Sequence, residues 1–180
     1  MAAAWGNRAV AQSGGDDLPD AAAVWAQTVP AAAPPVAFRS ETGKKLTLAD
    51  YTGRVLVVNL WATWCGPCTE ELPGLAALAE RIKPFGGLVL PISIDVEGAA
   101  AVKPFYASHD ISNLPVLLDP DGNNLDVLDT DGVPLTIVLT PAGKLVARLE
   151  GAADWNTQAV FEFLGGLARK PEDKPGAMQL

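Results

Sequence analysis

The chain has 180 residues, 49% of them hydrophobic, which is enough for one domain with a full core and removes the need for a disulfide framework. A formal net charge of -8 makes the surface repel phosphate backbones, which argues against nucleic acid as a partner. No run approaches the roughly 18 consecutive apolar residues that span a bilayer, and the opening residues lack the apolar stretch of an export signal.

Residues 1–35 are Ala-rich and carry Pro30, Pro34 and Pro35, which bar a helix at their end. They are expected to form a flexible leader, with a short helix near Ala21–Thr28. In "ETGKKLTLADYTG" turn residues flank Leu46 and Leu48, as in a small hairpin or edge strand. "RVLVVNLWA" is a continuous apolar run of strand length, suited to the buried centre of a sheet. Residues 66–82 have helical spacing, stopped by Pro84 and Gly86-Gly87. "GLVLPISID" reads as a second buried strand, 98–109 as a helix, and "LPVLLD" as a short strand ending in the turn Pro120-Asp121-Gly122. A short helix is expected in "NNLDVLDTDG", and "PLTIVLT" with "KLVARLEG" reads as a hairpin about Pro141-Ala142-Gly143. The last helix lies in "DWNTQAVFEFLGGLAR", with Asp154 as its expected cap. The tail, 169–180, is polar and Pro-containing and is expected to be disordered. Strand–helix–strand units in this order require a partly parallel sheet with helices on both faces, an α/β fold.

The chain's only two cysteines, Cys65 and Cys68, stand in "WATWCGPC", directly after the buried strand and at the opening of the helix. A loop that small constrains little chain, so a structural staple is a poor explanation. Unpaired N–H groups and partial positive charge at the helix N-terminus favour a thiolate over a thiol. Gly66 permits the tight turn, and Pro67 suits a first-turn position, where its missing N–H has no helical partner. Lowering a thiol pKa from about 8.5 to about 7 takes roughly 2 kcal/mol, of which a helix terminus supplies about 0.3–1 and up to about 2 when partly buried. Cys65 is the expected nucleophile, and Cys68, one turn inside, the resolving thiol. The alternatives are inert core cysteines or a metal half-site. Zinc would need two further ligands, and the chain has one histidine, His109; copper(I) could use two thiolates alone.

"VNLWATWCGPC" resembles the thioredoxin fold, and in particular its TlpA/ResA-like, CcmG/DsbE-related branch. Pro73 stands where thioredoxin-like helices carry a kinking proline. "DGVPLTIVL" resembles the segment bearing their cis-proline, which would be Pro134. "TEELPGL" resembles the pattern in which that branch places a functional acid, which maps to Glu71, and "VAFRSETGKKLTLADYTGRVLVVNLWATWC" resembles its N-terminal hairpin. The likeness covers about 36–168 and implies a thioredoxin-like mixed sheet flanked by helices, with an N-terminal β-hairpin and a central αβ insertion. Where thioredoxin has a buried Asp this chain has Asn59, which cannot take a proton from the resolving thiol, so the acid role would pass to Glu71.

Helical geometry supports that transfer independently. At 100° per residue, Leu72, Leu75, Ala76, Leu78, Ala79 and Ile82 share a face that includes Cys68 and has Glu71 at its edge, while Glu70 points away. Burial would raise the pKa of Glu71 and equip it to take the Cys68 proton; the alternative is a surface glutamate. The expected catalytic residues are therefore Cys65, Cys68 and Glu71. The expected substrate-binding residues are Trp64, Gly66, Pro67, Val133 and Pro134, with a cis-Pro134 presenting the backbone of Val133 to an extended substrate segment. Trp61 is expected in the core, and Trp64 at an apolar rim or simply packed. His109 is expected to be solvated, and Asp95 to be a turn residue.

The function implied is a thiol–disulfide oxidoreductase, a reductant of extracytoplasmic protein disulfides in cytochrome c or cytochrome oxidase copper-site maturation. It would be periplasmic and monomeric, with no metal or other cofactor, acting on a disulfide-containing protein and recharged by an upstream reducing dithiol protein. The leader would tether it to a membrane anchor missing from this chain. The alternative is a Cu(I) metallochaperone using the same two thiolates; a peroxiredoxin fits less well, because the likeness runs through a CxxC and a later cis-proline.

Overall fold

The computed structural model describes residues 18–169. Among the described residues eight strands form one mixed sheet: β1 (Ala26–Ala32), β2 (Ala37–Ser40), β3 (Lys45–Thr47), β4 (Leu56–Trp61), β5 (Leu88–Ser93), β6 (Leu117–Leu118), β7 (Leu135–Leu139) and β8 (Lys144–Glu150). Their order is β1-β8-β7-β4-β5-β6-β2-β3. β4 runs parallel to β5 and β5 to β6, and the remaining pairs are antiparallel. The apolar run read as a central strand is β4, buried along its whole length between β5 and β7.

Five α-helices accompany the sheet among the described residues: α1 (Ala21–Val24), α2 (Gly66–Ile82), α3 (Ala99–Ser108), α4 (Asn123–Val127) and α5 (Gln158–Arg169). α2 spans the 66–82 read from periodicity, burying Cys68, Glu71, Leu72, Leu75, Leu78 and Ile82. It ends where Pro84 follows Lys83 and Gly86 takes a left-handed conformation at φ 81°. Side chains of α1, α2, α3 and α5 join one apolar cluster, which includes Val57 and Trp61 of β4. The opposite face of the sheet packs Leu56, Val58 and Leu60 against a 3-10 turn at Leu48–Tyr51 and the α4 segment. Helices thus lie on both sides of the sheet, but unequally.

Three local expectations are corrected. The short helix expected near Ala21–Thr28 is α1, ending at Val24, but β1 follows from Ala26, so a flexible leader does not extend to residue 35. β1 pairs with β8, and Ala21 and Trp25 are buried. Pro30 is compatible with this because β1 is an edge strand whose register breaks between Gln27 and Ala31. The expected N-terminal hairpin joins β2, within "VAFRS", to β3 at the edge of the sheet, and only Leu48 departs, opening the 3-10 turn instead of extending the strand. The last helix starts at Gln158, and the Thr157 hydroxyl, not Asp154, accepts from the first-turn N–H of Val160 at 3.2 Å. Residues 1–17 and, but for Arg169, the expected disordered tail lie outside the described residues. No helix among the described residues is long and apolar enough to cross a membrane.

Candidate active site

The two cysteines sit at the carboxyl end of β4, where open α/β sheets place their ligand sites. Cys65 is the N-cap of α2 and Cys68 its third residue. They are joined as a disulfide. The N–H of Cys68 donates to Sγ of Cys65 at 3.3 Å, so one orphan donor of the helix is spent on the first sulfur. No acidic side chain lies in the first turn to oppose that field. Cys65 sits at the boundary with solvent, 8% exposed, whereas Cys68 is fully enclosed. Cys65 is thus the more accessible of the two sulfurs.

The Val133–Pro134 peptide is cis, as the resemblance implied. It brings the Val133 carbonyl oxygen to 3.6 Å from Cys65 Sγ. Pro134 is buried and Val133 half-buried. Around the sulfur, Gly66 and Pro67 are exposed and Trp64 is 67% exposed. The structure therefore groups Trp64, Cys65, Gly66 and Pro67 on one rim with Val133 across from them. Trp61 lies in the core, stacked on Tyr106 at 5.8 Å. His109 is exposed and stacked on Phe105, away from this group.

Glu71 is 1% exposed, so the surface alternative for it does not hold. Its Oε1 accepts from Nδ2 of Asn59 at 2.8 Å. Its Oε2 accepts from the indole Nε1 of Trp155 at 3.0 Å and from the N–H of Ala153 at 3.1 Å. Burial raises its pKa to about 7, and the three donors limit that rise by favouring the charged form. A carboxyl group one turn from Cys68 and balanced near neutrality can hold or release a proton in the working range. Asn59, the departure from thioredoxin, is thus a donor to the acid. Its Nδ2 also donates to Oγ1 of Thr136 at 2.9 Å, and its Oδ1 is buried without a partner among the described residues.

Sequence reasoning missed the partners that hold these groups. Asp95 is more than a turn residue. Its buried carboxylate accepts from Thr63 N at 3.0 Å, Thr63 Oγ1 at 2.6 Å and Ser93 Oγ at 2.7 Å, which pins the loop leading into Trp64 and Cys65. A signal existed: the parallel register pairs Trp61 with Ser93, so Thr63 and Asp95 emerge at the same level. Trp155 and Ala153 carried no such signal, since they reach Glu71 from more than 80 residues away.

Comparisons with known proteins bear on the family and the fold. The AhpC/TSA family model matches residues 29–148. The thiol-disulfide oxidoreductase ResA of Bacillus subtilis is 34% identical over 119 residues, covering 66% of this chain and 65% of that protein. The chain thus spans just under two thirds of the length of the curated relatives it matches. Among solved structures, a thiol:disulfide interchange protein DsbE from Chlorobium tepidum superposes with a TM-score of 0.68 at 25% identity, covering 79% of this chain and 99% of that one. The exposed lipoprotein thioredoxin Etrx1 of Streptococcus pneumoniae gives 0.60 at 28% identity, covering 74% and 99%. With a thioredoxin-like sheet, a CxxC at a helix start and a family match over most of its length, this chain belongs to the AhpC/TSA family.

Proposed function

We propose that this protein is a thiol–disulfide oxidoreductase acting as a reductant of protein disulfides outside the cytoplasm. One observation carries the reading: Cys65 Sγ caps α2, receives the N–H of Cys68 and faces the Val133 carbonyl, with a buried carboxyl one turn behind. In the cycle the Cys65 thiolate attacks one sulfur of a partner disulfide. A mixed disulfide forms and the partner's other sulfur leaves as a thiolate. Cys68 gives its proton to the Glu71 carboxylate and attacks Cys65 Sγ, and the partner departs with its second sulfur reduced. Two electrons pass to the partner, the Cys65–Cys68 disulfide remains, and an upstream dithiol protein reduces it again. Trp64, Gly66, Pro67, Val133 and Pro134 form the surface for an extended partner segment, which would pair with the backbone at Val133.

The extracytoplasmic assignment and the choice of substrates rest on the TlpA/ResA-like resemblance. Apocytochrome c or a copper-site protein of cytochrome oxidase would supply the disulfide, and the protein would act as a monomer tethered to a membrane. The similar pneumococcal protein is itself an exposed lipoprotein. The deciding experiment is a measured reduction potential together with capture of the native partner by Cys68→Ser. A value near about -270 mV supports a reductant, and one near about -120 mV makes it an oxidant. Recovery of no covalent adduct from extracts by Cys68→Ser would remove the exchange cycle.

A further inference from the structure

Glu71 is surrounded on both oxygens by donors alone. Asn59 serves Oε1, and Trp155 and Ala153 serve Oε2. The acid form carries a proton of its own, yet all three contacts present N–H groups, and the Asn59 Oδ1 that could accept it is not among them. The enclosure therefore works for the charged form, while burial works for the neutral form. Where the balance falls depends on how firmly the donors are held.

The donors to Oε2 come from one loop, 152–157, and that loop is held from outside. The N–H of Asp154 donates to Pro19 O at 2.8 Å, and the N–H of Ala21 donates back to Asp154 O at 3.0 Å. Thr157 Oγ1 donates to the Asp20 carboxylate at 3.0 Å. The Trp155 ring lies 6.0 Å from that of Trp25, which is wedged against Phe163 at 4.6 Å. Residues 19–25 thus brace the tryptophan whose indole holds the acid. On the sheet side Asn59 cannot swing freely, because its other amide hydrogen is bound to Thr136.

We propose that Trp155 and Asn59 are positioning residues that set the pH at which Glu71 exchanges its proton with Cys68, and that residues 19–25 act on the redox centre through Trp155. This rests on the role given to Glu71 above. Asn59 on β4, Thr136 on β7 and Trp155 in the loop do not titrate, and on the α2 side Cys68, with Cys65 beyond it, becomes a titratable thiol only when the disulfide is reduced. The nearby Asp154 and Asp20 carboxylates are turned to the N–H groups of Asn156 and Ala22.

The test uses the full chain in its reduced form. With the glutamate carboxyls labelled with ¹³C and the tryptophans with ¹⁵N, the Trp155 indole resonance should move with pH on the same midpoint as the Glu71 carboxyl. An indole signal that stays flat through that range overturns the proposal without any mutation. Trp155→Phe deletes one donor and should raise the Glu71 midpoint by about one pH unit, as expected for loss of a hydrogen bond to a charged group. The pH profile of mixed-disulfide resolution should move with it. Trp25→Leu should shift both in the same direction by less. In a Glu71→Gln background, Trp155→Phe should leave the thiol profile where Glu71→Gln alone puts it. A folded Trp155→Phe protein with an unmoved Glu71 midpoint also overturns the proposal. Failure of the Glu71 role itself looks different: Glu71→Gln alone then leaves the thiol titration at its wild-type position.

Discussion

Along β4, Leu56, Val58 and Leu60 face one side of the sheet, while Val57, Asn59 and Trp61 face the other. On the first side the three central strands contribute only aliphatic residues, with Leu90 and Ile92 from β5 and Leu135, Ile137 and Leu139 from β7. On the second side, Asn59 and Thr136 stand opposite each other in the ladder, with Glu71 above them and Cys68 nearby on the same helix. The chemistry is thus inserted at one level of one face. Burying a carboxyl and an amide costs stability, and one amide oxygen there has no partner. The aliphatic face is what allows the other to carry that cost. If this division holds, damage to one face should spare the work of the other.

The largest effect separates function from folding. Cys65→Ser should abolish reduction of protein disulfides, while the unfolding midpoint stays close to that of the reduced wild type. Activity surviving in Cys65→Ser would mean that the attacking sulfur is Cys68, and the contrast in access between the two would be meaningless. The converse substitution is Leu90→Ala on the aliphatic face, where the side chain is fully packed. It should cost about 3 kcal/mol by loss of burial and cavity formation. Its exchange rate, measured well below the melting temperature, should match wild type. A slowed rate in the folded variant would show that the two faces are coupled.

The polar face also predicts a pH dependence with a definite sign. The Glu71 pKa is raised by burial from its ordinary 4.5 to about 7 in the folded protein. Between those values the folded state binds more protons than the unfolded one, so this group's stabilising contribution is full below about pH 4.5 and is lost as pH rises through about 7. A shift of this size corresponds to about 3 kcal/mol. Chemical denaturation across that window should show wild type losing stability relative to Glu71→Gln as pH rises. Parallel curves for the two proteins would mean that folding does not raise the Glu71 pKa.

How much of this was legible follows from the range of each interaction. β4, α2 and the helix-capping cysteine are written locally: an unbroken apolar run, a 3.6-residue period ended by Lys83-Pro84, and a motif between them. Glu71 could be placed because it lies three residues from Cys68 on the same helix. Thr136 and Trp155 could not, since they meet the site only through long-range packing. β1 was hidden for a different reason. Ala26–Ala32 alternates poorly and contains Pro30, so only its pairing with β8 makes it a strand. Asp95 does open a turn, its carbonyl taking the N–H of Gly98, but its side-chain acceptor role depends on strand register, which composition alone does not show.

The smallest expected effect on stability lies at the rim that joins neither face. Trp64 is 67% exposed, so its ring gains little from the core, and Trp64→Ala should change unfolding free energy by no more than about 0.5 kcal/mol. Its backbone is nonetheless held in place, because Asp95 fixes Thr63 just before it. An exposed indole on a pinned loop beside the sulfur proposed to attack would meet a partner's side chains at low entropic cost. Trp64→Ala should therefore slow reduction of a folded protein disulfide while leaving the rate with a small-molecule disulfide nearly unchanged, since the small disulfide touches little beyond Cys65. Equal slowing with both substrates would place the effect on the sulfur itself, and Trp64 would then belong to the helix-terminus environment instead of the partner surface.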